Sequence, residues 1–330
     1  MGPVNQGWRV ADWAGQRMPS PFPPSRHVTD LTRQRLVRHG LAAAIGLAGR
    51  LGLPADDHVV LSNRGNLLVR FPAADVVARV ATLTAWTRRE PLRWLAREMA
   101  VARHVAGNGG PVVPPAHGTD PGPHWQDGFA ISLSGFVAVA SPAPVPTPAD
   151  CGTALARFHE AARDCPADLG YLAPATDQVS DGLAVMERES LADAGTVAAL
   201  RAVHHRVLAD IEEAAAKPIV LHGDAHAGNL LARGLHGDWV WTDLEDTSRG
   251  PAAWDLATLT SGYDEEATRE ALAAYAARAG GSVPAARALA PFRRARDLEG
   301  AVWLACLARL YPERYAALAA ERLAALLSRQ

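Results

Sequence analysis

The connections between residues 58 and 80 leave this chain little choice of local fold. Three β-like runs, HVVLS (58–62), LLVRF (67–71) and VVARV (76–80), are separated only by the turn-like NRGN and PAAD. Parallel neighbours need a crossover of roughly a dozen residues or more, so these strands must pair antiparallel. Ahead of them, Leu31, Leu36, Leu41, Ile45 and Leu51 recur at roughly helical spacing behind Thr29 or Asp30, predicting a first helix over 28–53. Residues 90–106 return to helical spacing, a Pro- and Gly-rich loop comes next (109–123), and GFAISL (128–133) reads as a further strand. The run SPAPVPTPAD (141–150) supplies a semi-rigid spacer. Beyond it the chain reads as helical, Ala- and Leu-rich, apart from residues 218–246.

This pattern predicts an α+β architecture. An extension of uncertain order (1–27) precedes a small antiparallel, β-rich N-terminal lobe (28–140); a proline-rich connector (141–150) leads to a larger, mostly helical C-terminal lobe (151–330). The crevice between the lobes is the natural ligand site.

Composition closes off several function classes. A formal net charge of −2 and an apolar fraction of 48% describe a globular protein with no basic footprint for nucleic acid or an anionic membrane. Lys217 is the lone lysine among 33 basic residues and is followed by Pro218, so a phosphate loop ending in Gly-Lys-Ser/Thr cannot form. Cys151, Cys165 and Cys306 lack the spacing of a disulfide framework or thiolate zinc site, which fits a reducing cytoplasm. The N-terminal residues do not read as a signal peptide. The longest uncharged stretch, Gly128–Ala149, is broken by prolines, so no membrane span is expected. Nothing in the pattern calls for an obligate protein partner.

The chemistry concentrates in PIVLHGDAHAGNLLARGLHGDWVWTDLEDTSRGPAAWDLATL (218–259). Leu230–Ala232 and Trp239–Thr242 flank a Gly-containing turn and read as a β-hairpin. A hairpin symmetric about His236 sets Asn229 opposite Asp243, so an amide oxygen and a carboxylate converge where a hard cation such as Mg²⁺ would sit. Asp224 lies five residues before Asn229, and Asp-x4-Asn followed by a second Asp is the spacing of a kinase catalytic loop and its metal-binding strand. One carboxylate takes the proton of an attacking hydroxyl while two oxygen ligands hold the cation against the nucleotide phosphates.

HGDAHAGN and TDLEDTSRGPAAWDLA together resemble the HGDxHxxN signature and the following Asp strand and Gly-Pro-x-x-x-Asp-Leu-Ala helix start of the aminoglycoside phosphotransferase and choline kinase-like family, which has a protein-kinase-like two-lobed fold. The order of the chain matches from about residue 45 onward. The resemblance implies a small-molecule kinase that moves the γ-phosphate of ATP or GTP to an alcohol group, with Asp224 as base, Asn229 and Asp243 as Mg²⁺ ligands, and His222, His226 and Asp255 supporting the loop. It implies that Arg79 stands where the fold normally has a phosphate-pairing lysine, oriented by Glu98. By the same resemblance the turn holding Ser62 and Asn66 covers the phosphates, and the backbone of 133–136, with Ser134, meets the base. Glu245 faces either the metal or the substrate. Asp264, Glu265 and Glu266 read as a solvated helix N-terminus, or as carboxylates for a cationic acceptor such as an aminoglycoside antibiotic.

Two other readings fit parts of the pattern. His222, Asp224 and His226 could be alternating ligands of a metal-dependent phosphoesterase. Arginine at position 79 prompts a non-catalytic nucleotide-binding module.

Overall fold

The computed structural model describes residues 30–63, 65–139, 143–214, 216–234, 238–282 and 284–328. The extension 1–27, the Thr29 cap, the turn residue His236 and the first two residues of the proline run lie outside these. The fold is the expected two-lobed α+β arrangement.

In the N-terminal lobe, β1 (Val59–Ser62), β2 (Leu67–Phe71), β3 (Val76–Val80), β4 (His124–Gln126) and β5 (Phe129–Gly135) form an antiparallel sheet in the order β1-β2-β3-β5-β4. β4 carries no period-2 signal because its three residues sit inside a loop-like stretch. Helix α1 (Asp30–Arg50) covers one face of this sheet, and Ala43, Ala44 and Leu47 meet Leu67, Val69, Phe71, Val76, Ala78, Val80, Ile131 and Leu133 in one core. Side chains alternate along a strand, so the intervening Leu68, Val77, Arg79, Ser132 and Ser134 point to the other face, toward the second lobe. Two helices come next on the chain on that side, α2 (Thr84–Thr87) after β3 and then α3 (Pro91–Gly107).

The C-terminal lobe contains α4 (Pro148–Ala161), α5 (Val179–Arg188), α6 (Ala194–Glu213), α7 (Ala253–Leu259), α8 (Glu265–Ala279), α9 (Ala286–Leu310) and α10 (Pro312–Leu327). Thr147 and Asp150 form a capping box at the start of α4, which packs along α8. His204 on α6 is buried with Nε2 2.7 Å from the Ala175 carbonyl, because that face of α6 turns inward against the core. No helix among the described residues is long and apolar enough to cross a membrane.

Two short antiparallel pairs, β6 (Ile219–Leu221) with β9 (Ser248–Gly250) and β7 (Leu230–Arg233) with β8 (Asp238–Trp241), form the island inside this helical lobe. The hairpin register differs from that expected: Leu230 pairs with Trp241 and Arg233 with Asp238. The intervening loop therefore holds an even number of residues and the hairpin has no central residue. Asn229 faces Thr242, whose N–H donates to the Asn229 carbonyl at 2.9 Å.

Candidate active site

The HGD turn is held from α7, some thirty residues further along the chain. Asp255, in the first turn of α7, is fully buried; its Oδ2 accepts from the His222 N–H (2.8 Å) and its Oδ1 from the Gly223 N–H (2.9 Å). Trp254 Nε1 donates to the Gly223 carbonyl at 2.8 Å. His159 of α4, which carries no local motif signal, places Nε2 2.8 Å from Asp255 Oδ2 and Nδ1 2.9 Å from the Tyr275 hydroxyl. His222 is buried, which pushes its pKa down, and a neutral ring fits its partners: Nδ1 accepts from the Asp224 N–H and Nε2 donates to the Thr242 carbonyl at 3.1 Å. The imidazole thus ties the loop to the end of β8.

Asp224 emerges from this turn with both oxygens engaged. Arg296 of α9 places Nη2 2.5 Å from Oδ1, while Asn229 Nδ2 (3.2 Å) and His226 Nε2 (3.4 Å) approach Oδ2. Burial favours the neutral acid, yet the Arg296 cation and His226 outweigh it and hold the carboxyl well below the usual range. Donating to the Asp224 carboxylate raises the pKa of His226 in return, against the effect of burial. Asn229 spends its amide hydrogens on Asp224 and keeps its carbonyl oxygen as an acceptor.

Asp243 succeeds the hairpin in a left-handed conformation (φ 63°), which turns its carboxylate out of the strand direction. It meets Arg79 Nη2 at 2.9 Å. Arg79 also approaches Glu98 of α3 (3.5 Å) and Glu245 (3.1 Å), so the three carboxylates gather around one guanidinium brought there by the cleft face of β3. Burial opposes charge on Arg79, but Asp243, Glu98 and Glu245 more than offset it and raise its pKa. Burial pushes Glu98 up to about 7 despite Arg79.

Glu245 closes the two lobes on each other. Asn66 Nδ2 donates to its Oε2 at 2.7 Å, the Thr84 hydroxyl donates to Oε1, and Arg79 and Arg88 reach it at 3.1 and 2.9 Å. Asn66 is therefore part of an interlobe clasp and also receives the Thr82 and Thr84 N–H groups. Arg88 continues inward to Asp246 (2.5 Å) and Gln178 (2.7 Å), and lies over the Trp94 ring at 4.2 Å. Burial, against Arg88, pushes Asp246 up to about 7. Glu245→Ala leaves two buried guanidiniums short of a carboxylate. It is expected to destabilise the protein by about 3 kcal/mol, read from the urea midpoint; an unmoved midpoint would show that the clasp carries no weight.

The cleft between the lobes, about 240 Å³, is lined by apolar side chains (Leu68, Val77, Met99, Val112, Leu231, Trp241) and by the charged Arg79, Glu98 and Asp243. Ser134 lines it. The Leu133, Gly135 and Phe136 N–H groups donate to the carbonyls of Pro121, Pro114 and Asp75, so they are already committed within the lobe. Ser62 lies on the edge strand β1. Asp264 is spent on capping α8, accepting from the Ala267 N–H at 2.8 Å, and Glu265 is in the first turn of that helix. None of the described contacts joins them to the Asp224 cluster. Sequence reasoning missed Arg88, Gln178, Arg296, Glu299 and His159, which have no motif around them and reach the site from separate helices and connections.

A family model described as the phosphotransferase enzyme family, APH, matches residues 58–293. The chain belongs to this phosphotransferase family. No protein of curated function matches the sequence. Among solved structures, the phosphotransferase is similar to a choline/ethanolamine kinase family protein from Mesorhizobium loti at 21% identity and a TM-score of 0.57, over 90% of this chain and 94% of the other. An amicoumacin kinase in complex with AMP-PNP, Ca²⁺ and Ami matches at 12% identity and a TM-score of 0.63, covering 83% and 89%. A spectinomycin phosphotransferase in complex with ADP and spectinomycin matches at 14% and 0.56, covering 85% and 92%. Family and fold together make this phosphotransferase a kinase-type enzyme.

Proposed function

We propose that the enzyme transfers the γ-phosphoryl group of ATP or GTP to a hydroxyl of a small, cationic acceptor such as an antibiotic, with Asp224 as the base. The observation that carries this reading is one cleft lined by both apolar side chains and the charged Arg79 and Asp243, with Asp224 joined to Asp243's strand through Asn229 and His222. The nucleotide base lies against the apolar wall and meets the backbone from Val137 onward, since the preceding amides are committed. Arg79, oriented by Glu98, takes the phosphates.

The donors of the site fit Mg²⁺. Asn229 Oδ1 and the Asp243 carboxylate are hard oxygens, and magnesium favours one or two carboxylates plus substrate phosphates over an all-protein cage. No group of three or more His, Cys, Asp or Glu side chains poised for a metal occurs among the described residues, which lends the dinuclear phosphoesterase reading no support. Bound there, the ion would neutralise charge on the transferring phosphoryl group. The chain's own residues position and deprotonate: as the acceptor oxygen bonds to the γ-phosphorus and the bond to the β-phosphate oxygen breaks, the hydroxyl proton passes to Asp224 and the electron pair leaves with the nucleoside diphosphate.

Charge supports a cationic acceptor. Of the carboxylates gathered around Arg79, Arg88 and Arg296, Asp224 and Asp243 keep 25% and 40% of their side-chain surface exposed, so negative charge remains open to an acceptor. The three cysteines are free and buried, which supports a reducing, cytoplasmic location. A coupled assay of ADP or GDP release, with Mg-ATP and Mg-GTP across a panel of cationic and neutral hydroxylated antibiotics and metabolites, tests the reading. Stimulation by cationic acceptors is the expected result; nucleotide binding with no stimulation across the panel would favour the binding-module reading.

A further inference from the structure

We infer that Arg296 is a positioning residue for phosphoryl transfer: its guanidinium, shared between Asp224 and Glu299, fixes the orientation of the base carboxylate. The inference rests on the reading of Asp224 as the base.

Arg296 lies outside the stretch matched by the family model, on α9, far along the chain from the HGD turn. Nη2 sits 2.5 Å from Asp224 Oδ1, Nη1 sits 2.8 Å from Glu299 Oε2, and Nη1 also approaches the Gly223 carbonyl at 3.5 Å. The guanidinium carbon lies 5.5 Å from the centroid of Trp254, whose Nε1 donates to the same Gly223 carbonyl. Its side chain is only 19% exposed, so the cation has little freedom to leave.

Glu299, which shares the guanidinium, is itself held. Its Oε1 accepts from Gln178 Nε2 at 2.9 Å, and Gln178 Oε1 accepts from Arg88 Nη2 at 2.7 Å. Arg88 in turn grips Asp246 and the interlobe residue Glu245. The orientation of Asp224 is thereby tied through a continuous set of ion pairs and hydrogen bonds to the closure of the lobes. A guanidinium offers two carboxylates separate nitrogens in a rigid fork, whereas an ammonium is a point charge without that geometry. Arg296 cannot itself take the proton, since guanidinium stays charged in proteins. Its contribution is geometric, and a small misplacement of a reacting group costs up to about 10²-fold in rate.

The test is the hydrolysis of Mg-ATP with water as acceptor, measured as ADP release, for wild type, Arg296→Met, Arg296→Lys, Asp224→Asn and the Met/Asn double variant, with thermal melting as the check on folding. Arg296→Met is expected to lower kcat by about 10–10²-fold with KM for Mg-ATP unchanged, and Arg296→Lys to fall between it and wild type. Because Arg296 acts through Asp224, the double variant is expected to be no slower than Asp224→Asn alone. If the two effects multiply, or if Arg296→Met keeps wild-type kcat, the positioning role is overturned while the base stands. If Asp224→Asn itself turns over like wild type, the base reading falls and the inference with it. Should the Met variant fail to fold, Arg296→Lys with and without Asp224→Asn carries the same comparison.

Discussion

Asp224→Asn is expected to lower acceptor-stimulated turnover by about 10²–10⁴-fold, the usual contribution of a positioned general base, while Mg-nucleotide affinity stays close to wild type. The substitution is nearly isosteric. Asparagine's amide oxygen can still accept from Arg296, and the anchors of the loop, Asp255 on two backbone amides and Trp254 on the Gly223 carbonyl, do not involve the Asp224 side chain. What is lost is the acceptor for the hydroxyl proton. Calorimetric titration with AMP-PNP and Mg²⁺, run beside ADP release with the best acceptor of the panel, separates the two effects. Turnover near wild type would remove Asp224 from its role; lost nucleotide affinity would mean that the carboxylate mainly holds the site together.

Gly223→Ala is expected to cost more than about 3 kcal/mol of stability or to abolish soluble expression. Gly223 has φ +92°, and a Cβ there would lie 2.0 Å from the Asp246 carbonyl oxygen and 2.3 Å from its carbon. Neither side can retreat. Asp255 and Trp254 bind Gly223 through its N–H and carbonyl, and Asp246 is gripped by Arg88. Gly262→Ala is the matched control, since Gly262 also has positive φ (+83°) but nothing within 4 Å of the added Cβ. That change should cost only about 1 kcal/mol, the conformational part alone. Urea midpoints of the two variants check the difference; equal losses would show that the backbone approach at Gly223 is relieved without cost.

Much of the fold was legible because it is locally encoded. The turns between 62 and 76 force antiparallel pairing, and β2 and β3 form at the expected residues. Period-2 alternation then places Arg79 on the face opposite α1. The catalytic-loop motif was legible for the same reason: Asp224, Asn229, Asp243 and Asp255 lie within one short stretch whose spacing reflects a single turn, hairpin and helix start. The hairpin register differs by one residue from the symmetric expectation because spacing alone does not tell an odd loop from an even one. Asn229 and Asp243 still serve the same end of the hairpin, since the left-handed backbone at Asp243, and not direct pairing, redirects its carboxylate.

By itself, then, the sequence determined the order of the candidate site residues and the antiparallel and helical elements that carry them, because each arises from interactions among near neighbours. Only the tertiary structure decided what surrounds those residues. Glu245 became an interlobe clasp when β3 and the segment after it closed onto the turn following β8. Arg296 came to hold Asp224 because α9 packs on α7, the helix that anchors the HGD turn. Contacts between residues far apart in the chain depend on how helices pack around a shared core, and no local pattern of side chains records which surface charge will meet which.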